Sequence, residues 1–134
     1  MELDDDRMCF VCGQDNQGGL KLRFHLDRDD KSLSADFTPA KTWQGYKGIV
    51  HGGIISTVLD EAMTKLAYSL GMNAVTGKLT VRFKRPLMVG ERVRVTGRIL
   101  KESGHIVEAG AVAVKDDGTV VAQAEGLLVK VKSG

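Results

Sequence analysis

The sequence predicts an α+β fold in which one long helix packs against a curved antiparallel sheet of about six strands. A segment in the middle of the chain repeats apolar residues at three- and four-residue spacing, which is typical of a helix. Most other segments alternate apolar and polar residues, as half-buried strands do. Short turns separate the later strands, and short turns join antiparallel neighbours.

The helix is predicted to begin near Gly52 and to end at Gly71. The face that packs on the sheet is predicted from its apolar residues, which are Ile54, Ile55, Val58, Leu59, Ala62, Met63, Leu66, Ala67 and Leu70.

The strands are predicted on both sides of this helix. Before it, LKLRFHLD and SLSADF form a hairpin around the turn RDDK. A loop follows, TPAKTWQGYKG, in which Trp43 and Tyr46 are candidates to line a pocket. After the helix come AVTGKLTVRFK, ERVRVTGRILKES, HIVEAGAVAVK and TVVAQAEGLLVKV. The last strand offers the helix a shallow face made of Val120, Ala122, Ala124, Gly126 and Leu128.

Length and composition favour a single folded domain over residues 1–134, with an N-terminal leader over residues 1–18. The net charge of +2 is too small to favour nucleic acid, and basic residues cluster only in VRFKRP. The apolar runs are too short to cross a bilayer, and the acidic start MELDDDRM does not resemble a secretory signal. We expect a cytoplasmic protein with no membrane or nucleic-acid partner.

The leader contains the only two cysteines, Cys9 and Cys12, in the motif CFVC. Because no second cysteine pair completes a tetrahedral zinc site, we predict reduced structural thiols and no metal. The alternative is zinc shared between chains or with a histidine.

The helix begins on His51, Gly52 and Gly53, which are poor helix formers. The first backbone amides of a helix lack intrahelical partners, and glycine lets a ligand approach them closely. These amides are therefore candidates for an oxyanion hole that binds a carbonyl oxygen. The alternative is a packing role for the glycines and a capping role for the histidine.

Asp60 lies off the apolar stripe and is the candidate acid, although a solvated surface group is the default for such a position. Gly52 and Asp60 are roughly 12 Å apart along one helix. One carbonyl carbon cannot contact both residues of the same chain. A catalytic interpretation therefore predicts a homodimer in which one subunit supplies the amide and the other the carboxylate.

The stretches HGGIISTVLDEAM and TGKLTVRFKRP resemble the hotdog-fold acyl-CoA thioesterases, in particular the phenylacetate-pathway and 4-hydroxybenzoyl-CoA thioesterase group. The resemblance covers nearly the whole chain. It implies a long central helix wrapped by an antiparallel sheet, paired into dimers and often into dimers of dimers. It also implies hydrolysis of acyl-CoA without a metal or another cofactor.

The resemblance implies a role for each site residue. Gly52 donates its backbone N–H to the oxyanion, and Asp60 of the facing subunit is the nucleophile or the base that activates water. His51 orients the thioester or the glycine loop, while Thr64 and Thr76 supply hydroxyls that hold the carboxylate or the water. Many relatives place an amide side chain about six residues before the histidine, where this chain has Gly45, with Gln44 beside it as a candidate substitute; the alternative is that this role is absent.

Substrate binding is expected at Gly53 and Gln44, and at the basic strand residues Arg82, Lys84 and Arg85 as partners of the coenzyme A phosphates. These basic residues alternatively keep an exposed strand soluble. Two other functions stay open, namely an enoyl-thioester hydratase or dehydratase and an acyl-CoA binding module without catalysis.

Overall fold

The predicted helix and strands are present in the computed structural model, which describes residues 2–132. The α-helix, α1, spans Gly52–Ser69, and a short 3-10 helix spans Lys41–Trp43. The strands are β1 (His25–Asp27), β2 (Ser32–Phe37), β3 (Ala74–Phe83), β4 (Val93–Ser103), β5 (Ile106–Lys115) and β6 (Val120–Lys130). This is the α+β architecture that the sequence predicts.

The six strands form one curved antiparallel sheet in the order β1-β2-β4-β5-β6-β3. The hairpins β4–β5 and β5–β6, which turn at Gly104 and at the DDG segment 116–118, confirm the short turns predicted between the later strands. The same prediction is wrong for β3 and β4, which are not neighbours. The segment 84–92 instead pairs with the chain before α1, where Leu87 O accepts from Val50 N–H at 2.8 Å. β3 is consequently an edge strand.

The first predicted strand is shorter than its alternation suggested. Lys21 has a positive φ of 56°, and the N–H groups of Leu20 and Leu22 donate to the leader carbonyls of Phe10 and Val11, each at 2.8 Å. Leu22 is nevertheless buried. The alternation of apolar and polar residues therefore predicted the burial of Leu22 correctly, but the backbone partner of Leu20 and Leu22 is the leader and not β2.

Helix α1 lies close to the sheet at two glycines. A Cβ at Gly97 of β4 would lie 2.4 Å from Ala62 O, and a Cβ at Gly126 of β6 would lie 3.1 Å from the Met63 side chain. Ala62 and Met63 are fully buried, as the apolar stripe predicts. The glycines thus fix how deeply the helix sits on the sheet and where its polar side emerges.

The helix ends as predicted, because Gly71 adopts a φ of +85° directly after the C-cap residue Leu70. None of the helices within residues 2–132 combines the length and the hydropathy that a membrane span requires.

Candidate active site

The N-terminus of α1 presents a backbone amide that has no hydrogen-bond acceptor among residues 2–132. His51 is the N-cap, and its Nδ1 accepts a hydrogen bond from the Gly53 N–H at 2.9 Å. The expectation of a bare amide is therefore wrong for Gly53. Among the described residues no acceptor faces the Gly52 N–H. The capping histidine thus satisfies one amide and leaves its neighbour free for a ligand.

A hollow of about 480 Å³ adjoins this free amide. Its lining residues are Gly45, Tyr46, Ile49, Val50, His51 and Gly52. Tyr46 is largely exposed at its margin, whereas Trp43 packs against Phe37 with ring centroids 5.8 Å apart. The hollow is therefore bordered by Tyr46, and Trp43 belongs to the core side of the loop.

Backbone and side-chain hydrogen bonds hold the loop before α1 in place. Gln44 accepts from the Gly48 N–H through its side-chain oxygen at 3.0 Å, and Trp43 O accepts from the His51 N–H at 2.8 Å. Gln44 thereby closes the loop that forms the wall of the hollow. This contact gives Gln44 a positioning role, which differs from the substrate contact expected for it.

The carboxylate of Asp60 is held by a hydroxyl from the sheet. Thr76 of β3 donates to Asp60 Oδ1 at 2.6 Å, and both residues are half-buried. A β-bulge at Gly77 interrupts the pairing of β3 with β6 directly after Thr76. Bulges re-aim neighbouring side chains, and here the bulge follows the residue that reaches the helix.

The second predicted hydroxyl has a different partner. Thr64 donates to the backbone carbonyl of Asp60 at 3.2 Å and not to its carboxylate. This is an ordinary bond from a helical threonine to the preceding turn. The structure thus brings Asp60 and Thr76 together through their side chains, whereas Thr64 contacts only the backbone.

The two halves of the candidate site lie toward opposite ends of β3. Thr76, near the start of the strand, contacts Asp60. Phe83, at its end, has ring atoms 3.5 Å from where a Cβ of Gly52 would lie. Sequence reasoning missed Phe83, because the apolar pattern gave no reason to separate it from other strand residues.

The three basic candidates are exposed near Phe83. Arg82 lies in β3 before it, and Lys84 and Arg85 follow it. Within residues 2–132 none of the three forms an ion pair, and the Arg85 side chain donates only to the carbonyl of Lys84. Their charges are therefore available at the end of β3 where the free amide lies.

Glu61 follows Asp60 and is the rival carboxylate, for which the sequence suggested a pair with Lys65; sequence reasoning missed that both Glu61 and Lys65 contact the leader cysteines. Glu61 accepts a hydrogen bond from Cys9 Sγ at 3.1 Å, and Lys65 donates to Cys12 Sγ at 3.4 Å. The two cysteines are free thiols. The leader thus packs against α1 beside the candidate acid.

The family model of the thioesterase superfamily matches residues 47–122 of this chain. These residues are more than half of the chain and include α1, β3, β4 and β5.

Curated relatives carry the name acyl-coenzyme A thioesterase. THEM4 of Xenopus laevis is 25% identical over 127 residues, which cover 93% of this chain and 57% of the relative. THEM4 of Mus musculus is 30% identical over 113 residues, which cover 84% of this chain and 49% of the relative. The chain therefore spans about half the length of the curated relatives it matches.

Solved structures share the fold. A thioesterase superfamily protein has a TM-score of 0.87 at 27% identity, with 92% of this chain and 61% of that chain covered. A Streptococcus pneumoniae thioesterase protein solved with coenzyme A has a TM-score of 0.78 at 16% identity, covering 84% and 87%. The E. coli PaaI protein of the phenylacetic acid degradation operon has a TM-score of 0.78 at 19% identity, covering 85% and 82%.

Proposed function

We propose that this chain, which belongs to the thioesterase superfamily, hydrolyses acyl-coenzyme A thioesters to the free acid and coenzyme A at a site shared by two copies of the chain. The observation that carries the proposal is that the chain contains both a carboxylate fixed by a hydrogen bond and a helix N-terminal amide that has no acceptor among the described residues. Asp60 is fixed by Thr76 at 2.6 Å, and the Gly52 N–H has no acceptor among the described residues.

The edge strand β3 supports the sharing of the site between two chains. Within the described chain β3 pairs only with β6, and a long unpaired edge is a template for pairing with a second copy. An antiparallel two-fold pairing centred between Leu79 and Thr80 sets Thr76 opposite the partner's Phe83. Asp60 then faces the partner's Gly52, and the dimer contains two equivalent sites.

The chemistry follows from these two groups. The thioester carbonyl oxygen accepts from the Gly52 N–H, which stabilises the negative charge that develops on this oxygen. Asp60 either takes a proton from the water that attacks the carbonyl carbon, or attacks this carbon itself and forms a mixed anhydride, which water then hydrolyses to the free acid and the restored carboxylate. The carbon–sulfur bond breaks, and the coenzyme A sulfur leaves with the electron pair and takes up a proton. Thr76 keeps the carboxylate aimed at the carbon throughout.

His51 acts as a positioning residue in this mechanism. Its Nδ1 accepts from the Gly53 N–H, so this nitrogen carries no proton in the capped state. The cap orients the first turn of α1 and keeps the Gly52 N–H directed toward the hollow of about 480 Å³. This hollow is the proposed entry for the acyl group.

The proposed substrate carries phosphates, and Arg82, Lys84 and Arg85 are its proposed partners. They lie at the end of β3 that contacts Gly52, so one ligand can reach both the amide and the charges. We expect Lys84→Ala and Arg85→Ala to raise KM for acyl-coenzyme A. The same variants should leave KM unchanged for a thioester of N-acetylcysteamine, which has no phosphate. Equal KM values for acyl-coenzyme A in wild type and both variants would remove this assignment.

Thiol release from a panel of short, medium, long and aromatic acyl-coenzyme A substrates tests the reaction. Thiol release that is lost in Asp60→Asn and retained in Glu125→Gln, a matched change on β6 away from α1, supports hydrolysis. Hydration of an enoyl thioester without thiol release would instead identify a hydratase. Binding of the panel without turnover would identify a binding module.

A subunit-mixing experiment tests the shared site. Gly52→Pro removes the amide donor, and proline suits the first helical position, where the extended φ and ψ of His51 also accept a following proline. Neither Gly52→Pro nor Asp60→Asn should be active alone. After random mixing, one wild-type site forms in each mixed dimer, so we expect about a quarter of wild-type activity. No recovery in proven mixed dimers would place both groups in one chain.

A further inference from the structure

Three possible metal ligands from distant parts of the sequence meet beside α1. Cys9 Sγ donates to Glu61 Oε2 at 3.1 Å, and Cys9 Sγ itself accepts from the Cys12 N–H at 3.5 Å. The two sulfur atoms and a carboxylate oxygen of Glu61 all lie within 4.8 Å of one another. The sequence alone showed two ligands, and the fold adds the third.

The turn that holds the two thiols is tightly fixed. The Gly13 N–H donates to Cys9 O at 2.8 Å, and a Cβ at Gly13 would lie 2.4 Å from Cys9 N. The Leu20 N–H donates to Phe10 O at 2.8 Å, which ties the turn to the chain that follows. The motif CFVCG therefore presents both sulfur atoms on a backbone that is already ordered, which lowers the conformational entropy lost when a metal binds.

The charges of the cluster favour a dication. Two thiolates and the Glu61 carboxylate would carry three negative charges, and Lys65, whose Nζ lies 3.4 Å from Cys12 Sγ, supplies one positive charge. One divalent ion balances the remaining two. Without such an ion, burial, together with the hydrogen bond and charge of Glu61, raises the pKa of the Cys12 thiol above its ordinary value.

We propose that Cys9, Cys12 and Glu61 bind one divalent ion of the zinc class, which fastens the leader to α1. Zinc takes thiolate ligands at about 2.3 Å and carboxylate oxygens at about 2.0–2.2 Å, so its tetrahedral ligands lie roughly 3.5–3.8 Å from one another. The present cluster needs only side-chain adjustments to reach that spacing. Both thiols lose their protons to solvent as the metal–sulfur bonds form.

A hollow of about 360 Å³ opens beside the cluster and leaves room for a fourth ligand. Asp4, Asp5 and Asp6 line it together with both cysteines and Glu61. This acidic rim attracts cations, and it offers water or a further carboxylate oxygen for the remaining tetrahedral position. The site is separate from the hollow that adjoins Gly52.

Titration of the reduced full chain with Co²⁺ tests the proposal, because Co²⁺ adopts the coordination of Zn²⁺ and reports thiolate ligands by charge-transfer absorption. We expect one Co²⁺ per chain, displacement by Zn²⁺ and, in Cys12→Ser, loss of at least half of the intensity of the thiolate band, because only the Cys9 thiolate remains. Glu61→Gln keeps both thiols and should weaken Co²⁺ binding by at least about tenfold, since even outer-shell partners of a metal site contribute this much.

Glu125→Gln is the matched control and should bind Co²⁺ as the wild type does. Absence of a thiolate band in the wild type would overturn the proposal, and so would equal Co²⁺ affinity in wild type and Glu61→Gln. Saturation at half an equivalent per chain would show a metal shared between two chains, which also contradicts the assignment. Circular dichroism of each variant separates a lost ligand from a lost fold.

Discussion

Asp60 and Glu61 are neighbours in sequence, yet they meet different parts of the chain. Asp60 accepts from the Thr76 hydroxyl of β3, and Glu61 accepts from the Cys9 thiol of the leader. Successive residues of a helix point about 100° apart, so two adjacent carboxylates face different surroundings. Asp60 is therefore the proposed catalytic acid and Glu61 the proposed metal ligand because of the residues that surround each one, although the two are adjacent in the sequence.

Replacing each carboxylate in turn by its amide gives the largest expected difference. Asp60→Asn removes the nucleophile or base and should lower kcat for acyl-coenzyme A by about 10²–10⁴-fold. Glu61→Gln should lower kcat by less than about tenfold, because Glu61 faces the leader and stands one step away from the reacting carbon. Thiol-release kinetics on both folded variants measure the difference. A loss in Glu61→Gln as large as in Asp60→Asn would abolish the distinction between the two sides of the helix.

The two threonines near Asp60 sharpen the comparison at the next level of effect. Thr76→Val keeps the side-chain shape but removes the hydrogen bond to the carboxylate, which is worth about 1.5–3 kcal/mol and corresponds to roughly a 10- to 150-fold loss in kcat. Thr64→Val removes only a bond to the Asp60 backbone carbonyl and should change kcat by less than about threefold.

The threonine pair is measured by kcat for one acyl-coenzyme A, with thermal unfolding as the check on stability. Equal losses in Thr76→Val and Thr64→Val would show that the contact of 2.6 Å between Thr76 and Asp60 has no catalytic role.

Both carboxylates depend on how deeply α1 sits on the sheet, and Gly97 sets this depth. A methyl group at Gly97 would lie 2.4 Å from Ala62 O, so Gly97→Ala must displace the helix or β4. We expect a loss of about 1–3 kcal/mol in the free energy of unfolding. Gly110→Ala in β5 is the matched control, because its methyl group meets the Leu100 side chain at 3.4 Å. Denaturant unfolding measures the free energy of unfolding of both variants. Equal values would mean that the close contact at Gly97 does not fix the position of the helix on the sheet.

Much of the fold could be predicted from the hydrophobic periodicity of local segments of the sequence. The stripe from Ile54 to Leu70 has the period of a helix, and the four later strands have the period of half-buried strands. The position of β3 at the sheet edge could not be predicted in this way. The segment 84–92 carries the chain away from β3 before β4 begins, because this segment pairs with the chain before α1 through Leu87 and Val50. As a result β3 and β4 are not neighbours in the sheet. Periodicity reports a buried face and does not report a neighbour.

The candidate site shows the same limit. The free amide at Gly52 was predictable from the helix start, but the cap on Gly53 depends on the rotamer of His51, which no pattern gives. Thr76 reaches Asp60 beside the bulge at Gly77, and a glycine inside a strand is a signal for such a bulge. The contact of Cys9 with Glu61 joins residues 52 positions apart, and nothing in the spacing of the cysteines indicates it.

The smallest expected effect is on the reactivity of Cys12, which lies on the side of α1 that faces the leader. It is measured in protein from which a chelator has removed any metal. Burial is the largest cause of the raised pKa of Cys12. The hydrogen bond and the charge of Glu61 raise this pKa further, whereas the charge of Lys65 lowers it. Because the thiolate is the form that reacts with iodoacetamide, Cys12 should be alkylated slowly near pH 8.

Glu61→Gln removes one cause of the high pKa and should speed the alkylation of Cys12 severalfold, whereas Lys65→Met removes an opposing charge and should slow it. Because burial acts equally in both variants, the rate in Glu61→Gln should stay below that of an exposed cysteine peptide. Mass spectrometry of Cys12 over time gives the rates, with Glu125→Gln as the unaffected control. If Glu61→Gln and Lys65→Met shift the rate in the same direction, the electrostatic account of this side of α1 is wrong, since the two charges have opposite signs.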